Sequence, residues 1–218
     1  MPRPSRGIVV FGDVVASRTD PILSTGWLRG LAAELDEAYG GQRLAAFGFT
    51  QGDELQGLLV SGADPLEAIL RAAFAVDRRP MRWAVAGGPV DVGRGPATER
   101  TGAAFLAARA ALARARAGRD GLVATSGDSD TDSLLADIAP VLATLLADLT
   151  DRQRAIGRLI VVDGLRQSDA AARLRISRPT VSVAVGRAHI REISRLAAAI
   201  RTLFAQGSQA AARAAGHG

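Results

Sequence analysis

Two aspartates have the type and spacing for metal chemistry. Asp13 closes the apolar run Ile8-Val9-Val10-Phe11-Gly12, and Asp53 stands between two further runs, Leu44-Ala45-Ala46-Phe47 and Leu58-Leu59-Val60. A carboxylate at a strand end is a hard oxygen ligand, and a pair of them suits Mg2+ or Mn2+ together with nucleotide phosphates. Two such ions would activate a hydroxyl and steady a leaving pyrophosphate. Each residue also has a plainer role. Gly52-Asp53 is the dipeptide of a two-residue hairpin, where positive φ is needed, and Asp13 alone is a strand-end residue. Only their pairing makes them a candidate site. Glu54 either turns to the other face or adds a third carboxylate.

The second chemistry is positive charge. The net charge of +5 divides unevenly: residues 1–148 carry 15 Arg against 18 acids, and residues 149–218 carry 12 Arg against 4. A basic C-terminal part on an acidic body points to double-stranded DNA; a solvated Arg-rich helix surface is the plainer alternative. Within it, Ser168–Leu174 and a helix capped by Ser177 flank the turn Arg175-Ile176-Ser177, with Ala171, Ala172 and Leu174 inward on the first and Val181, Ala184, Val185 and Ala188 on the second. Two short helices, a tight turn and small residues at the crossing make a helix-turn-helix. The start of its second helix would enter the major groove, presenting Arg178, Pro179, Ser182 and Val183 to base edges. Gln167, Arg175, Ser177, Thr180 and Arg187 are placed for phosphates.

The elements that must position these groups follow from pattern. Gly7–Val15 reads as a buried strand, and Ser24–Tyr39 as a helix capped by Ser24 or Thr25. The hairpin around Asp53 follows, then a helix from Asp64-Pro65 to Val76. Met81–Ala86 is a strand stopped by Gly87-Gly88-Pro89; Ala103–Ala117 is a helix and Gly121–Thr125 a last strand. This order predicts an α+β fold with a ferredoxin-like N-terminal domain, 1–126, and an extra αβ unit. A linker and connecting helix, 127–148, an all-α helix-turn-helix domain, 149–206, and a disordered tail, 207–218, complete the chain.

The stretch from Arg166 to Ser182 resembles the helix-turn-helix of sigma-factor region 4. The N-terminal segments VFGDVVASR, FTQGDELQGLL, RWAVAGGPVDVG and GAAFLAARAALARAR resemble, in order, the palm domain of class III nucleotidyl cyclases. The start GDVVASR, the hairpin GDELQG and the C-terminal helix-turn-helix together resemble the SatD-like family over most of the chain. The cyclase resemblance implies Asp13, Asp53 and the Val14 carbonyl as metal ligands. It implies a nucleotide near Phe47, Thr50, Gln51 and Glu54. Its catalytic helix carries an Asn and an Arg; here Phe105 or Leu106 stands at the Asn position. Arg109 meets the Arg position only after a one-residue shift, and otherwise faces solvent. There is no Lys to read a purine. Lost cations weaken phosphoryl transfer, which depends on them to offset developing charge.

The absence of Cys excludes disulfides and thiolate sites, and two His make a His-rich zinc site untenable. No apolar run reaches the roughly 18–20 residues of a membrane span, and the expected location is cytoplasmic. The reading is a dimeric, DNA-binding transcription regulator whose cyclase-like domain senses a nucleotide, a cyclic mono- or dinucleotide included. The alternative is a metal-dependent nucleotidyl cyclase or nucleotidyltransferase with a regulatory tail.

Overall fold

A computed structural model describes residues 5–15, 21–50, 53–75, 77–118 and 120–216, with the backbone only for 21–23. Strand β1 (Ser5–Val14) leads into helix α1 (Pro21–Tyr39), β2 (Arg43–Phe49), β3 (Glu54–Val60), α2 (Leu66–Ala73) and β4 (Met81–Val90). Helix α3 (Ala103–Ala117), β5 (Leu122–Thr125) and α4 (Ser129–Ala147) follow. Then come α5 (Asp151–Gly157), whose path continues as a π turn over Arg158–Val162, α6 (Gln167–Leu174), α7 (Arg178–Arg187) and α8 (Ile190–Gly216).

The sheet order is β2-β3-β1-β4-β5. β1 runs antiparallel to both β3 and β4, and β5 runs parallel to β4. This is the split βαβ arrangement with one more αβ unit, so the protein is α+β, with a ferredoxin-like, palm-type sheet followed by helices. β1 is central and has helices on both sides, which is why Ile8 to Phe11 form an unbroken apolar run rather than an alternation. Ile8, Val10 and Val14 face a large core shared with α1, α2, α4 and α8, whereas Val9 and Phe11 face a smaller one under α3.

Several local expectations are corrected. α1 begins at Pro21, and Ser24 is buried inside it rather than capping it. β4 runs on through Gly87-Gly88-Pro89. The glycines let helices approach: a Cβ on Gly87 would sit 2.8 Å from Ser208 Oγ, and one on Gly88 3.5 Å from the Ala104 Cβ. Pro89 is tolerated because β5 pairs only with Trp83–Ala86, leaving that end of β4 an edge. The hairpin carrying Asp53 is wider than two residues. β2 ends at Phe49, β3 begins at Glu54, and Thr50 N–H donates to the Glu54 carbonyl at 3.1 Å.

The expected linker and connecting helix, 127–148, are helix α4 from Ser129 on, and one side of that helix is core. Asp128 caps α4 by accepting from Thr131 N–H, and the Asp132 carboxylate accepts from the Ser126 N–H and hydroxyl. Leu135, Ala139, Leu142 and Leu146 of α4 are buried in the large core. The expected disordered tail is also helix as far as Gly216; His217 and Gly218 lie outside the described residues. Its Ala-rich sequence favours helix, and its buried Gly207 rests on Ser126 and Thr131.

Helix propensity alone would make Gly207→Ala stabilising by about 1 kcal/mol. A docked helix predicts the opposite sign, because the new methyl would overlap Ser126 Oγ and lie 2.8 Å from Thr131 Cγ2. We expect a loss of about 1–3 kcal/mol in urea unfolding; a gain would mean that the end of α8 is not docked.

Candidate functional site

Strand alternation turns Asp13, like Val9 and Phe11, toward α3. Its register partners are Glu54 on β3 and Arg82 on β4. The open choice for Glu54 is therefore resolved: it shares the face of Asp13. Asp53 lies in the bend before β3 and meets β1 through its backbone, its carbonyl accepting from Val14 N–H at 3.1 Å.

The partner of Asp13 is one that sequence reasoning missed. Arg116, near the end of α3, donates from Nε to Asp13 Oδ2 at 3.1 Å and from Nη2 to Oδ1 at 2.6 Å. The same Nη2 reaches Glu54 Oε2 at 3.1 Å, and Gln56 Nε2 donates to Glu54 Oε1 at 2.8 Å. Arg82 Nη1 stands 3.8 Å from Asp13 Oδ2. The Asp13 side chain is only 8% exposed, and Arg116 is 45% exposed. The hydrogen bond to Asp13 raises the Arg116 pKa further above its ordinary value, against the opposing effect of burial. A two-pronged guanidinium–carboxylate pair is the strong, directional form of such a contact. One signal was available: Arg109 and Arg116 are seven apart, two turns on one helix face.

This arrangement does not fit the implied metal site. Both oxygens of Asp13 are held by Arg116, which also reaches Glu54, the residue in register with Asp13. Among the described residues, no group of three His, Asp or Glu side chains is placed to hold a metal ion. Two guanidiniums already balance the two carboxylates, Asp13 and Glu54.

A cleft of about 540 Å³ opens at the start of α3 and meets this network only at Gln56; Asp91, Thr98, Arg100, Thr101, Phe105 and Arg109 also line it. Arg109 is exposed to solvent and lies over the Phe11 ring, 5.9 Å from its centroid. Of the two residues that could stand at the Asn position, Phe105 packs on Phe11, ring centroids 6.0 Å apart. Leu106 is exposed. Phe47 is not at this cleft. It is buried on the opposite face of the sheet, stacked on Tyr39 at 5.6 Å and covering Gly57. Thr50 is exposed at the end of β2, and Gln51 lies outside the described residues.

The helix-turn-helix is formed by α6 and α7. Arg175 takes the left-handed conformation (φ 53°) that ends α6, and Ile176 N–H donates to the Ala171 carbonyl. Ser177 caps α7, accepting from Thr180 N–H at 3.3 Å. Val181 and Val185 are buried against Ala170 and Ala171, while Ala172 is exposed, one step from the expected inward set. Arg175, Ser177, Arg178, Pro179, Ser182, Val183 and Arg187 are exposed, with Gln167 and Thr180 half-buried.

Removing Arg116 strands a nearly buried carboxylate. Arg116→Ala should destabilise the fold by about 2–3 kcal/mol, below the cost of breaking a fully buried pair because Arg116 itself is half-exposed. Asp13→Asn in the Arg116→Ala background should recover part of that loss, as read by a double-mutant cycle in urea. Independent, additive losses would show that the pair is not coupled.

No protein-family model matches the chain, and neither does any curated protein. Among solved structures it is similar to a bacterial light-regulated adenylyl cyclase, with 17% identity over 56% of this chain and 77% of that one, at a TM-score of 0.43. A second structure of a light-regulated adenylyl cyclase gives 15% identity over 57% and 44%, at 0.40. A regulator of polyketide synthase expression from Bifidobacterium adolescentis gives 16% identity over 96% and 82%, at 0.28. These scores add no weight to the fold, which stands on strand order and register.

Proposed function

We propose that the protein is a DNA-binding transcription regulator whose palm-type domain binds a nucleotide without metal-dependent turnover. The observation that carries the DNA reading is the exposed set Arg178, Pro179, Ser182 and Val183 on the first two turns of a capped helix whose other side is buried. In a helix-turn-helix this surface enters the major groove, with the guanidinium of Arg178 suited to a guanine edge. Arg175, Ser177 and Arg187, with Gln167 and Thr180 beside them, are of the right types to hold phosphates. A dimer would read two half-sites about 34 Å apart.

The nucleotide reading rests on the cleft at the start of α3. Arg100 and Arg109 supply positive charge, Thr98 a hydroxyl and Phe105 an apolar wall, while the one carboxylate lining the cleft among the described residues, Asp91, is held by the Thr101 hydroxyl. The guanidinium that occupies Asp13 favours binding over turnover. The cyclase alternative requires Arg116 to leave Asp13 for a Mg2+ or Mn2+ ion held with Asp53. Mn2+-dependent turnover of ATP or GTP, lost in Asp53→Asn, would establish it.

In gel-shift titration at fixed salt, Arg178→Ala should weaken operator binding by about 1–3 kcal/mol and relax base choice at one position. Arg187→Ala should weaken all sequences alike and lower the salt slope by about 1. Unchanged affinity and sequence preference in Arg178→Ala would overturn the assignment of α7 as the reading helix. For the cleft, a nucleotide at about 100 times its dissociation constant should stabilise the fold by about 2.7 kcal/mol. Arg109→Ala should abolish that shift in a thermal-shift panel of ATP, GTP and cyclic mono- and dinucleotides.

A further inference from the structure

A second cavity, of about 420 Å³, lies on the opposite face of the sheet from the Asp13 carboxylate, between α2, α4 and the start of β4. Its walls are apolar: Ile69, Met81, Trp83, Leu122 and Leu146 contribute to them. Its rim is basic, with Arg78 and Arg79 on the loop before β4, and no acidic side chain lines it among the described residues. An apolar chamber of this size with a few charged groups at one end is the usual form of a small-molecule site.

The charges behind the rim are poorly compensated. Arg78 Nη2 donates to the Ala147 carbonyl at 3.0 Å, and Arg154 Nη2 donates to the same carbonyl at 3.4 Å. Arg154 is only 6% exposed, and its buried Nε has no hydrogen-bond partner among the described residues. Its carboxylate partner, Asp151 at 3.4 Å, is 90% exposed and so a weak one. Burial lowers the pKa of Arg78, and the charge of Arg154 beside it lowers it further; burial lowers that of Arg154 as well. Two guanidiniums sharing one neutral oxygen at the edge of a cavity form a place where an anion offsets a standing cost.

We propose that this cavity binds a small amphipathic anion, an aromatic or medium-chain aliphatic body carrying a carboxylate or phosphate head. The body lies in the chamber walled by Trp83 and Met81, and the head takes the Arg78 and Arg79 guanidiniums. Binding draws Arg78 toward the ligand and leaves the Ala147 carbonyl to Arg154. Arg154 belongs to α5, which packs against α7, so occupancy reaches the helix assigned to DNA. That last coupling rests on the DNA reading; the binding itself does not.

The test is isothermal titration of the whole protein with phenyl phosphate and with octanoate, alongside inorganic phosphate and benzyl alcohol as head-only and body-only controls. Saturable binding of at least one of the two amphiphiles is expected, with neither control matching it; the two separate a phosphate head from a carboxylate head. Arg78→Gln should weaken that binding at least tenfold, and the cavity-filling Ala143→Leu should abolish it, with both variants shown folded by circular dichroism. The proposal is overturned if neither amphiphile binds up to its solubility. It is overturned equally if inorganic phosphate binds as well as phenyl phosphate, or if both folded variants bind like the parent. Ligand binding that survives while DNA binding fails altogether would count against α7 alone and leave the cavity assignment standing.

Discussion

The constraint on which the rest of the structure depends is the burial of both faces of β1. A strand in the middle of this sheet cannot leave either side to water when Ile8, Val9, Val10 and Phe11 are all apolar. One side is closed by α3. The other is too wide for α1 and α2, and α4 and α8 complete it. The C-terminal helices are therefore structural for the sheet as well as candidates for DNA contact. Cutting the chain after Thr125 would expose Val85, Leu122 and Ala124 on the large-core face, so the palm-type sheet has no complete core by itself. This explains why a segment with linker composition, 127–133, is spent on starting α4, with Asp128 as its cap and Asp132 holding Ser126.

The same burial dictates the chemistry at the end of β1. Asp13 continues the alternation of Val9 and Phe11 into the smaller core, where an unpaired carboxylate would be expensive. Arg116 meets it with two hydrogen bonds and spans to Glu54 with a third contact. A divalent ion would satisfy the same carboxylates, and the two solutions compete for the same oxygens. Which one holds is a matter of what α3 presents. Here it presents Arg116 to both carboxylates and Arg109 to the Phe11 ring. Cation charge is thus supplied by the protein itself.

How much of this was legible depended on whether the information was local. The strand order followed from apolar runs and turn chemistry, and the helix-turn-helix from Ile176, Ser177, Pro179, Thr180 and Val181, because each rests on neighbours within a few positions. Asp13 was legible as a special residue, since a charge closing a buried run needs a reason. Its partner was not, because Arg116 is more than a hundred residues away and looks like any other arginine on an Ala/Arg helix. Glu54 was left open between two faces, and only the register settles it: the bend before β3 puts Glu54 opposite Asp13. Phe47 was misplaced for a related reason, as strand parity with Leu55 and Leu59 puts it on the far face. The helical end of the chain was hidden by composition. Ala, Gly and Gln look unanchored in sequence, yet Gly207 is buried because α8 passes too close to Ser126 for any side chain.

The helix-turn-helix is held to the sheet domain by contacts that leave little slack. A Cβ on Gly157 would overlap the Phe74 ring, so α5 approaches α2 as closely as backbone permits. Arg158, at the start of the π turn, donates to Glu34 of α1, which also pairs with Arg71 of α2. Farther along, Arg201 of α8 pairs with Asp64 at the start of α2. With three such anchors, a ligand signal has no hinge between the two parts to act through. It must be carried by small shifts at packed contacts, of the kind that interfaces amplify because close-packed cores repack in discrete steps. At the junction of α4 and α5, Arg78 and Arg154 share the Ala147 carbonyl. In the proposed regulator, a signal from the cavity beside Arg78 would reach α7 by changing how α5 seats it, because α5 carries Arg154 and packs against α7.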